Sequence, residues 1–440
     1  MSHRHWVLAF AIGTLAWTVA ARAQEPSARE ATSPYIDERA GMSLDAAVAR
    51  AVAQEPSLRA VRADVEMGRA QRQQAALRPN PMVSAEHRDE PGGTDALTTI
   101  GIEWPLDLFR RSGRVQTAER SVAVAQFGVE DRARLLAADV RMQYGAAVAA
   151  VQEVAVAEEL VTAARRQLDL VRARVDAGGT PPLDRDLLDV EVRRLDAARL
   201  VAIGRVDVAL VNLKRLLGMR PTDTLRLRDS LDTLIAAIAP EPNEVAGITS
   251  GLRSDVKEAE ARVALAEARI DQAHREGRAD VSVFGSYMRM DNGFPQLGIG
   301  PTGVLERVRG RFNYLTVGAT VSLPVLNRNQ GQVAAAQAEH LGAEARRDAI
   351  DLAARADVAA AQARDAQAQR AVQLYGGGVR ALARRNLDVV RQTFDLGRVT
   401  VFDVLAEQKR WLDIEQGYVM AAREAWEARV ALTRARGETK

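Results

Sequence analysis

Apolar residues alternate with small polar ones in two short stretches of the 440-residue chain, 98–104 and 314–323. A period of two is typical of a β-strand with one apolar and one polar face. The segments that precede them, 82–88 and 281–290, are less regular and are interpreted as their partner strands. Each run has about 8–10 residues, close to the roughly 9–11 of a membrane-spanning strand. The pattern therefore predicts two β-hairpins.

Long stretches without proline predict long helices after these hairpins. Residues 106–180 contain no proline. About 60 residues, 114–176, are therefore predicted to form one helix about 90 Å long, at 1.5 Å per residue. A second helix is predicted over 183–217. The segment 43–77, before the first hairpin, is also predicted to be helical, with a bend at Pro56.

The second half of the chain repeats this helical pattern. No proline follows Pro324, and two long helices are predicted on either side of a turn at 397–400. The three glycines at 376–378 should loosen the first of these helices, because each costs about 1 kcal/mol relative to alanine. The last helix carries apolar residues at intervals of seven, which predicts a coiled-coil seam. The residues of this seam are Leu405, Leu412, Val419 and Trp426.

The two halves match one another as a tandem duplication. Pro105 and Pro324, which end the alternating stretches, are 219 positions apart, and Gly178 and Gly397 are separated by the same distance. At the start of the hairpins, Pro81 and the matching Asp280 are only 199 positions apart. The second copy has therefore gained 20 residues between this point and Pro324. These residues lie near 291–311, a segment rich in glycine and proline that predicts a long hairpin loop.

The duplication predicts the organisation of the chain. We expect a signal peptide at 1–23, an N-terminal linker at 24–42, a first repeat at 43–218, a linker or equatorial region at 219–250 and a second repeat at 251–436.

The first residues have the pattern of an export signal. Arg4 precedes an uncharged apolar run at 6–20, and Ala21 and Ala23 provide a small-residue cleavage site. This order is typical of a secretory signal peptide. A membrane anchor is the alternative, but the run is shorter than the roughly 20 residues that a spanning helix needs. Cleavage after Ala23 is predicted, which in a bacterium would leave the chain in the periplasm or the outer membrane.

Composition excludes several classes of function. The 60 lysines and arginines nearly balance the 58 acidic residues, so a clustered basic patch for nucleic acid is not indicated. The chain has no cysteine, which excludes disulfides, thiolate metal sites and cysteine catalysis. His87, His274 and His340 lack the spacing of metal ligands, and neither a nucleophile elbow nor a phosphate-binding loop occurs. We predict no catalytic, cofactor-binding or metal site, and no enzyme activity.

Four strands per chain limit how such a sheet could enter a membrane. They cannot close a barrel, and the unpaired edge groups of an open sheet are not tolerated in lipid. Membrane insertion therefore requires several chains to share one barrel, and three chains would supply twelve strands. The strand pattern alone leaves a small soluble sheet that caps a helical bundle as an equal alternative.

The order of these features resembles the TolC family of outer-membrane efflux proteins, and within it the CzcC-like branch. The resemblance covers nearly all of 43–436 and rests on the duplicated order of several short motifs. These motifs are Leu77-Arg78-Pro79-Asn80-Pro81 before the first strand, Pro105 and Pro324 at the strand exits, Gly178 with Asp184 and Asp186-Leu187-Leu188, Gly397 with Asp403-Val404-Leu405, and Leu216-Leu217-Gly218 at the end of the first copy.

Similarity to this family implies a mainly α fold with a small membrane β part. Tandem-duplicated coiled-coil helices and two β-hairpins would form a homotrimer with a 12-strand β-barrel and an α-barrel tunnel. The chain would lie in the cell outer membrane, with the hairpin loops outside the cell and the helices extending into the periplasm. The implied partners are a periplasmic adaptor (a membrane fusion protein), an inner-membrane pump of the RND type and outer-membrane lipid.

The implied function is that of a passive exit duct in a tripartite efflux system, which exports small solutes, heavy-metal cations among them. Two alternatives remain open. One is a non-channel periplasmic coiled-coil adaptor or scaffold, and the other is an exit duct for drug efflux or type I protein secretion. The repeated hairpins favour a channel, because an adaptor needs one helical hairpin rather than two copies with matched strands.

The turns that end the two helical hairpins are the candidate surface for the adaptor, since they are repeated at the far end of both copies. Their alternative role is simple helix termination. The residues predicted to contact the adaptor are Gly178, Thr180, Gly397, Arg398, Val399 and Thr400.

The same resemblance implies a periplasmic gate. Asp403 stands where that family has an acidic residue at the constriction, while Ala406 replaces a second acid. Phe394 stands where a hydrogen-bonding tyrosine would help to latch the closed state. One aspartate per chain at a threefold axis would form a ring that favours cations. The alternative is that Asp403 only complements the dipole of its own helix.

Overall fold

The computed structural model describes residues 32–238 and 253–438. The predicted signal peptide at 1–23 lies outside the described residues. The same is true of 24–31 in the N-terminal linker and of 239–250 in the linker between the repeats.

Helices and strands in the described ranges follow the predicted order twice: helix, hairpin, long helix, second long helix. They are α1 (Leu44–Gln54), α2 (Pro56–Ala76), β1 (Met82–Asp89), β2 (Ala96–Pro105), α3 (Arg110–Asp176), α4 (Pro182–Leu216), α5 (Leu231–Ala237), α6 (Ser254–Glu276), β3 (Asp280–Ile299), β4 (Leu305–Ser322), α7 (Gln330–Leu374), α8 (Arg380–Asp395) and α9 (Val401–Arg436).

The long helix α3 confirms the prediction from the proline-free stretch. It has 67 residues, which corresponds to about 100 Å, and it begins four residues earlier than expected. Its middle packs against α1 and α9 and its end against α4. Small residues allow close approach there, since the indole of Trp426 lies directly over Gly145 and donates to the carbonyl oxygen of Arg141 at 2.8 Å.

The bend expected at Pro56 is a break between two helices. Pro56 occupies the first position of α2, where its missing N–H is not needed. Glu55 caps this helix, because its Oε2 accepts hydrogen bonds from the backbone N–H of Leu58 at 2.8 Å and from the hydroxyl of Ser57 at 2.6 Å. A proline next to a side-chain cap therefore separates α1 from α2.

The four strands form one antiparallel sheet in the order β1-β2-β3-β4. Both hairpins are therefore neighbours in a single sheet, with β2 paired to β3 across the two repeats. The register runs through Ala85, Ile100, Tyr287 and Leu315, which lie directly opposite one another in successive strands. β1 and β4 are left at the two edges.

The prediction of a long loop at 291–311 is wrong. β3 and β4 continue through this segment, paired as far as Ile299 and Leu305, and only 300–304 form a turn. The register shifts between Gly293 and Leu297, which marks a β-bulge. Proline and glycine are typical of loops, but they also occur at β-bulges, because a bulged residue makes no hydrogen bond to the neighbouring strand. The sequence pattern therefore did not distinguish a bulged strand from a loop. The 20 additional residues therefore lengthen a hairpin.

The predicted seam of α9 is correct for Val419 and Trp426, which are buried, but not for its first two residues. Leu405 and Leu412 are only half-buried. A continuous series of buried positions alternates three and four residues apart and repeats at intervals of seven, as in a heptad seam. They are Val401, Val404, Gln408, Trp411, Glu415, Tyr418, Ala422 and Ala425. Two of these residues, Gln408 and Glu415, are polar, so a repeat of apolar residues does not include their positions.

The glycines after α7 loosen the helix, as expected. Tyr375–Val379 forms a π-helical turn in which Gly378 adopts φ +115°, a conformation that favours glycine. Beside this turn, Arg380 pairs with the buried carboxylate of Glu415 at 2.8 Å and stacks over the ring of Tyr418 at 3.8 Å. The kink is therefore held in place by a buried ion pair.

Three apolar clusters lie along the helical body. The largest holds Tyr144 and Leu213, the second, nearer the ends of the helical hairpins, holds Leu188 and Phe394, and the smallest holds Val358 and other residues of α7 and α9. Among the described residues, no helix is sufficiently long and apolar to cross a membrane.

Tyr144 fastens the chain before α1 and the linker after α4 to the long helix α3. It is fully buried, and its hydroxyl lies 2.8 Å from the carbonyl oxygen of Met42 and 2.7 Å from Oδ2 of Asp229. Burial and the adjacent carboxylate raise the pKa of the Tyr144 hydroxyl above its ordinary value. The hydroxyl is therefore neutral and remains a donor.

We expect Tyr144→Phe to lower the free energy of unfolding by about 1–3 kcal/mol, because a buried hydrogen bond to a charged group is lost. The thermal midpoint of the detergent-solubilised protein measures this effect. The matched control is Tyr35→Phe, since the Tyr35 hydroxyl has no hydrogen bond within the described part of the chain. Equal midpoints for the two variants would show that the Tyr144 hydroxyl does not hold these segments.

Candidate functional site

One face of the sheet is apolar and exposed. In an antiparallel sheet, residues directly opposite one another share a face, and alternate residues along a strand return to it. The side chains of Leu315 and Val317 are 80% and 81% exposed on this face. We call it the apolar face, and its residues are Val83, Ala85, Ile100, Ile102, Trp104, Val281, Val283, Gly285, Tyr287, Leu315, Val317, Ala319 and Val321.

The opposite face is mixed, with rows of small polar residues between larger side chains such as Phe284, Met288 and Tyr314. One row across it contains Ser84, Gly101, Ser286 and Thr316. An exposed apolar face of this extent is unusual for a surface in water. The apolar face is suited to lipid, and the small polar rows of the opposite face are suited to an aqueous lumen.

The aromatic residues of the apolar face lie near its two ends. Trp104 donates its indole N–H to the carbonyl oxygen of Pro79 at 3.1 Å, next to the helices. Tyr287 donates its hydroxyl to Oδ1 of Asn313 at 2.7 Å, on the side of the hairpin turns. Amphipathic rings prefer the boundary between lipid and water, so these contacts mark two boundaries of the apolar face.

The far ends of the two helical hairpins are built identically. After α3, the N–H of Gly179 donates to Arg174 O and that of Gly178 to Val175 O. After α8, the N–H of Arg398 donates to Thr393 O and that of Gly397 to Phe394 O. Both are Schellman motifs, and both central glycines adopt φ +73°. We call 177–181 and 396–400 the tip turns.

Arg174, near the end of α3, connects the helix ends that lead into the two tip turns. Its guanidinium donates to the carbonyl oxygen of Asp395 at 2.7 Å and to that of Phe394 at 3.3 Å, and it lies 5.4 Å from the centre of the Phe394 ring. These carbonyl groups belong to the last turn of α8, where a cation is favourable. The tip turns are therefore adjacent and form one surface at the end of the molecule.

The residues predicted to contact an adaptor are brought together on this surface, but they differ in exposure. Gly178, Gly397, Arg398 and Thr400 are exposed, whereas Thr180 and Val399 are partly buried. An added Cβ at either Gly178 or Gly397 would meet nothing within 4 Å. Only the positive φ, and not crowding, restricts substitution at these glycines.

Asp403 closes a capping box at the start of α9. Its Oδ2 accepts hydrogen bonds from the backbone N–H of Thr400 at 2.8 Å and from the Thr400 hydroxyl at 2.7 Å, while that hydroxyl accepts from the Asp403 N–H. The hydrogen bonds from Thr400 lower the pKa of the Asp403 carboxyl. The side chain is also exposed. Within one chain, Asp403 is thus an ionised helix cap that faces solvent.

Phe394 is 5% exposed and lies in the second apolar cluster. It presents no polar atom at the position where a tyrosine could form a latch. Sequence reasoning missed Arg174, because the pattern of apolar positions carries no signal for a side chain that binds backbone carbonyl groups. The equivalent position in the second copy is Thr393, so the duplication gave no signal either.

No group of three acidic, histidine or cysteine side chains suited to a metal ion occurs within residues 32–238 and 253–438. His87, for example, lies exposed on β1 and contacts the hydroxyl of Thr98. The features that the structure brings together are thus surfaces, the apolar face and the tip turns, at opposite ends of long helices. This arrangement is that of a protein with a sheet suited to a membrane at one end and a helical surface at the other.

Comparison with known proteins identifies the family. The model of the outer membrane efflux protein family matches residues 47–219 and 251–438, and the chain belongs to this family. It is 26% identical over 307 residues to the nickel-cobalt-cadmium resistance protein NccC of Alcaligenes xylosoxydans xylosoxydans, covering 69% of this chain and 64% of NccC. The matched region thus spans less than two thirds of NccC.

Two further similarities extend over most of the chain. The cobalt-zinc-cadmium resistance protein CzcC of Cupriavidus metallidurans is 23% identical over 412 residues, which cover 93% of this chain and 91% of CzcC. A crystal structure of CusC, described in terms of transmembrane channel formation, superposes with a TM-score of 0.73 at 16% identity. That superposition covers 91% of this chain and 93% of the CusC chain, so the two share a fold.

Membership of the family confirms the predicted resemblance and the mainly α fold with a small sheet. The family consists of efflux proteins of the outer membrane and is not a class of enzymes. The chain is therefore an outer-membrane protein whose helical body extends into the periplasm.

We expect Arg174→Gln to loosen the tip turns, because the carbonyl oxygens of Phe394 and Asp395 lose their guanidinium donor. Amide hydrogen exchange at 396–400 should become several-fold faster. The control is Arg172→Gln, since Arg172 pairs with Asp169 and Asp189 inside the first helical hairpin and does not reach α8. Equal exchange in the two variants would contradict a bridge through Arg174.

Proposed function

We propose that this chain is the outer-membrane exit duct of a tripartite efflux system, through which small solutes leave the cell passively. The observation that carries this proposal is the placement of an exposed apolar sheet face at one end of long paired helices and a closely joined pair of turns at the other. The first suits lipid, and the second suits a protein partner about 100 Å away.

We propose heavy-metal cations as the cargo. The relatives NccC and CzcC are resistance proteins for nickel, cobalt and cadmium and for cobalt, zinc and cadmium. A duct does not need to ligate its cargo, so cation export is compatible with a chain whose described residues hold no metal cluster. Export of drugs or of proteins by the type I route is the competing assignment of cargo.

The functional unit is a homotrimer. β1 and β4 each have one strand neighbour within the chain, so their outer edges need partners in lipid. Pairing β4 of one copy with β1 of the next supplies those partners, and three copies give a barrel of twelve strands. The helices of three copies would then surround a tunnel below the barrel.

The partners are a periplasmic adaptor and an inner-membrane pump of the RND type. The tip turns are the surface for the adaptor, because they lie farthest along the helices from the sheet and carry exposed backbone at Gly178 and Gly397. The division of the chain follows from this arrangement. A signal peptide at 1–23 and a linker at 24–42 precede the repeats 43–218 and 251–436, which are joined by 219–250.

Docking is tested by Gly397→Trp. We expect this variant to abolish metal resistance in cells that carry the matching pump and adaptor, while the trimer still forms in the outer membrane. The matched control is Gly92→Trp in the turn between β1 and β2. Gly92 also has a positive φ, +80°, and open space around its Cβ position. Retained resistance in Gly397→Trp, or loss of the trimer itself, would contradict a docking role.

A gate function for Asp403 is tested by Asp403→Asn. Three ionised carboxylates around a threefold axis favour cations, so the variant should show weaker cation selectivity and less block by multivalent cations in single-channel recordings. Repulsion within such a ring would raise the carboxyl pKa, in opposition to the hydrogen bonds from Thr400 that lower it within each chain. Unchanged selectivity with a lower thermal midpoint would leave only the capping role.

A further inference from the structure

The hairpin of β3 and β4 extends beyond the rest of the sheet. Pairing between β2 and β3 ends at Ala96 and Asp291. Beyond this point β3 and β4 pair only with each other, up to Ile299 and Leu305. On β4, the strand without the bulge, the six residues 305–310 correspond to about 20 Å at roughly 3.3 Å per residue. A two-stranded ribbon therefore projects from the end of the sheet that lies away from the helices.

Three arginines continue the line of the apolar face along β4. Residues alternate strictly between the two faces of a strand, and the bulge lies on β3, so the alternation of β4 is unbroken. The side chains on the apolar face change from leucine and valine to asparagine and then to arginine along the strand. In order these residues are Val321, Ala319, Val317, Leu315, Asn313, Arg311, Arg309 and Arg307, followed by Leu305 at the turn.

We call Arg307, Arg309 and Arg311 the arginine row. All three are exposed. Arg311 pairs with Asp291 at 2.8 Å, and the same carboxylate accepts from Arg289 at 3.2 Å. One acidic group therefore serves two arginines.

The upper two arginines have no such partner. Gly293 lies opposite Arg309, and Leu297 lies opposite Arg307. Among the described residues, the ion pairs of this ribbon are those of Asp291 with Arg289 and Arg311, and neither Arg307 nor Arg309 takes part in one. Glu306 is adjacent in sequence but lies on the other face of the strand. The ribbon thus presents an excess of positive charge on the side that is continuous with the lipid-facing residues.

The height of the arginine row matches the polar layer of a membrane. Arg311 lies four residues beyond Leu315, about 13 Å along the strand and about 10 Å along the membrane normal for a strand tilted by roughly 40°. Arg307 lies about 10 Å higher. The polar layer begins where the hydrocarbon ends, and Tyr287 marks that boundary opposite Leu315.

We propose that the arginine row binds the phosphate groups of anionic glycolipid in the outer leaflet of the outer membrane. Guanidinium groups bind phosphate oxygens in a bidentate manner, and three of them at successive heights suit a lipid with phosphates along a thick headgroup. This proposal rests on the proposed orientation, with the ribbon outside the cell. It also agrees with cation export, because these arginines face away from the lumen that the cargo would traverse.

The test uses the full-length protein in its native assembly and a bis-phosphorylated glycolipid, lipid A, as the probe. Binding is measured by native mass spectrometry, beside the same glycolipid with its phosphates removed. The test variant combines Arg307→Gln, Arg309→Gln and Arg311→Gln. The control combines Arg193→Gln, Arg347→Gln and Arg410→Gln, which removes the same charge from exposed positions on the helices.

We expect the test variant to bind the phosphorylated lipid at least tenfold more weakly, with no change for the dephosphorylated lipid and no change in the control variant. Substitution of the same three arginines by lysine should give intermediate binding, since charge is kept and the bidentate geometry is lost. Undiminished binding in the glutamine variant, or an equal loss for both lipids, would overturn the proposal.

Two further measurements test whether the site binds free phosphate instead of lipid and whether the ribbon lies outside the cell. Displacement of the lipid by millimolar inorganic phosphate alone would show a site for free anions and would also overturn it. An epitope inserted in the 300–304 turn should be reached by antibody on intact cells, and failure there would overturn the orientation. If the glutamine variant keeps both metal resistance and lipid binding, the lipid-binding role of the arginine row is refuted but the exit-duct function is not. Absence of the wild-type protein from the outer membrane would refute both.

Discussion

The unpaired edges of the four-stranded sheet determine how the whole molecule can assemble. β1 and β4 each leave one row of backbone N–H and C=O groups without a partner in the chain, and the apolar face exposes Leu315 and Val317 almost completely. The apolar face is suited to hydrocarbon, but in hydrocarbon each unpaired backbone group costs several kcal/mol. Both conditions are met only if strands of other copies cover the edges, so membrane insertion and assembly are a single event.

The long helices relate this membrane part to a distant protein surface. The duplication places two Schellman turns side by side with the same glycine conformation at Gly178 and Gly397, and Arg174 breaks the symmetry by connecting the helix ends that lead into them. The two repeats also differ at the other end, where the second hairpin extends into a ribbon. Equivalent halves thus build a common scaffold, and the residues that differ between them form the specialised contacts.

The proline-free stretches and the period-two stretches predicted the helices and the sheet, because both patterns follow directly from backbone geometry. The extended hairpin was missed because a bulge and a turn use the same glycine and proline residues as a loop. The seam of α9 was predicted only in part: Val419 and Trp426 are buried as expected, but the buried Gln408 and Glu415 are polar and a pattern of apolar residues does not include them. The tip turns were located correctly, but the bridge through Arg174 depends on tertiary contacts with backbone oxygens, for which a single sequence carries no pattern.

Cysteine cross-linking between β1 and β4 tests the shared barrel most directly, because the chain contains no cysteine of its own. Ser84→Cys on β1 would be combined in turn with Thr316→Cys, Gly318→Cys or Thr320→Cys on β4, and the protein would be oxidised in outer membranes before electrophoresis. The account predicts that at least one combination gives covalent dimers and trimers and nothing larger, since a closed ring of three copies has no free edge. A ladder that continues beyond three copies, or monomers alone in every combination, would contradict the account.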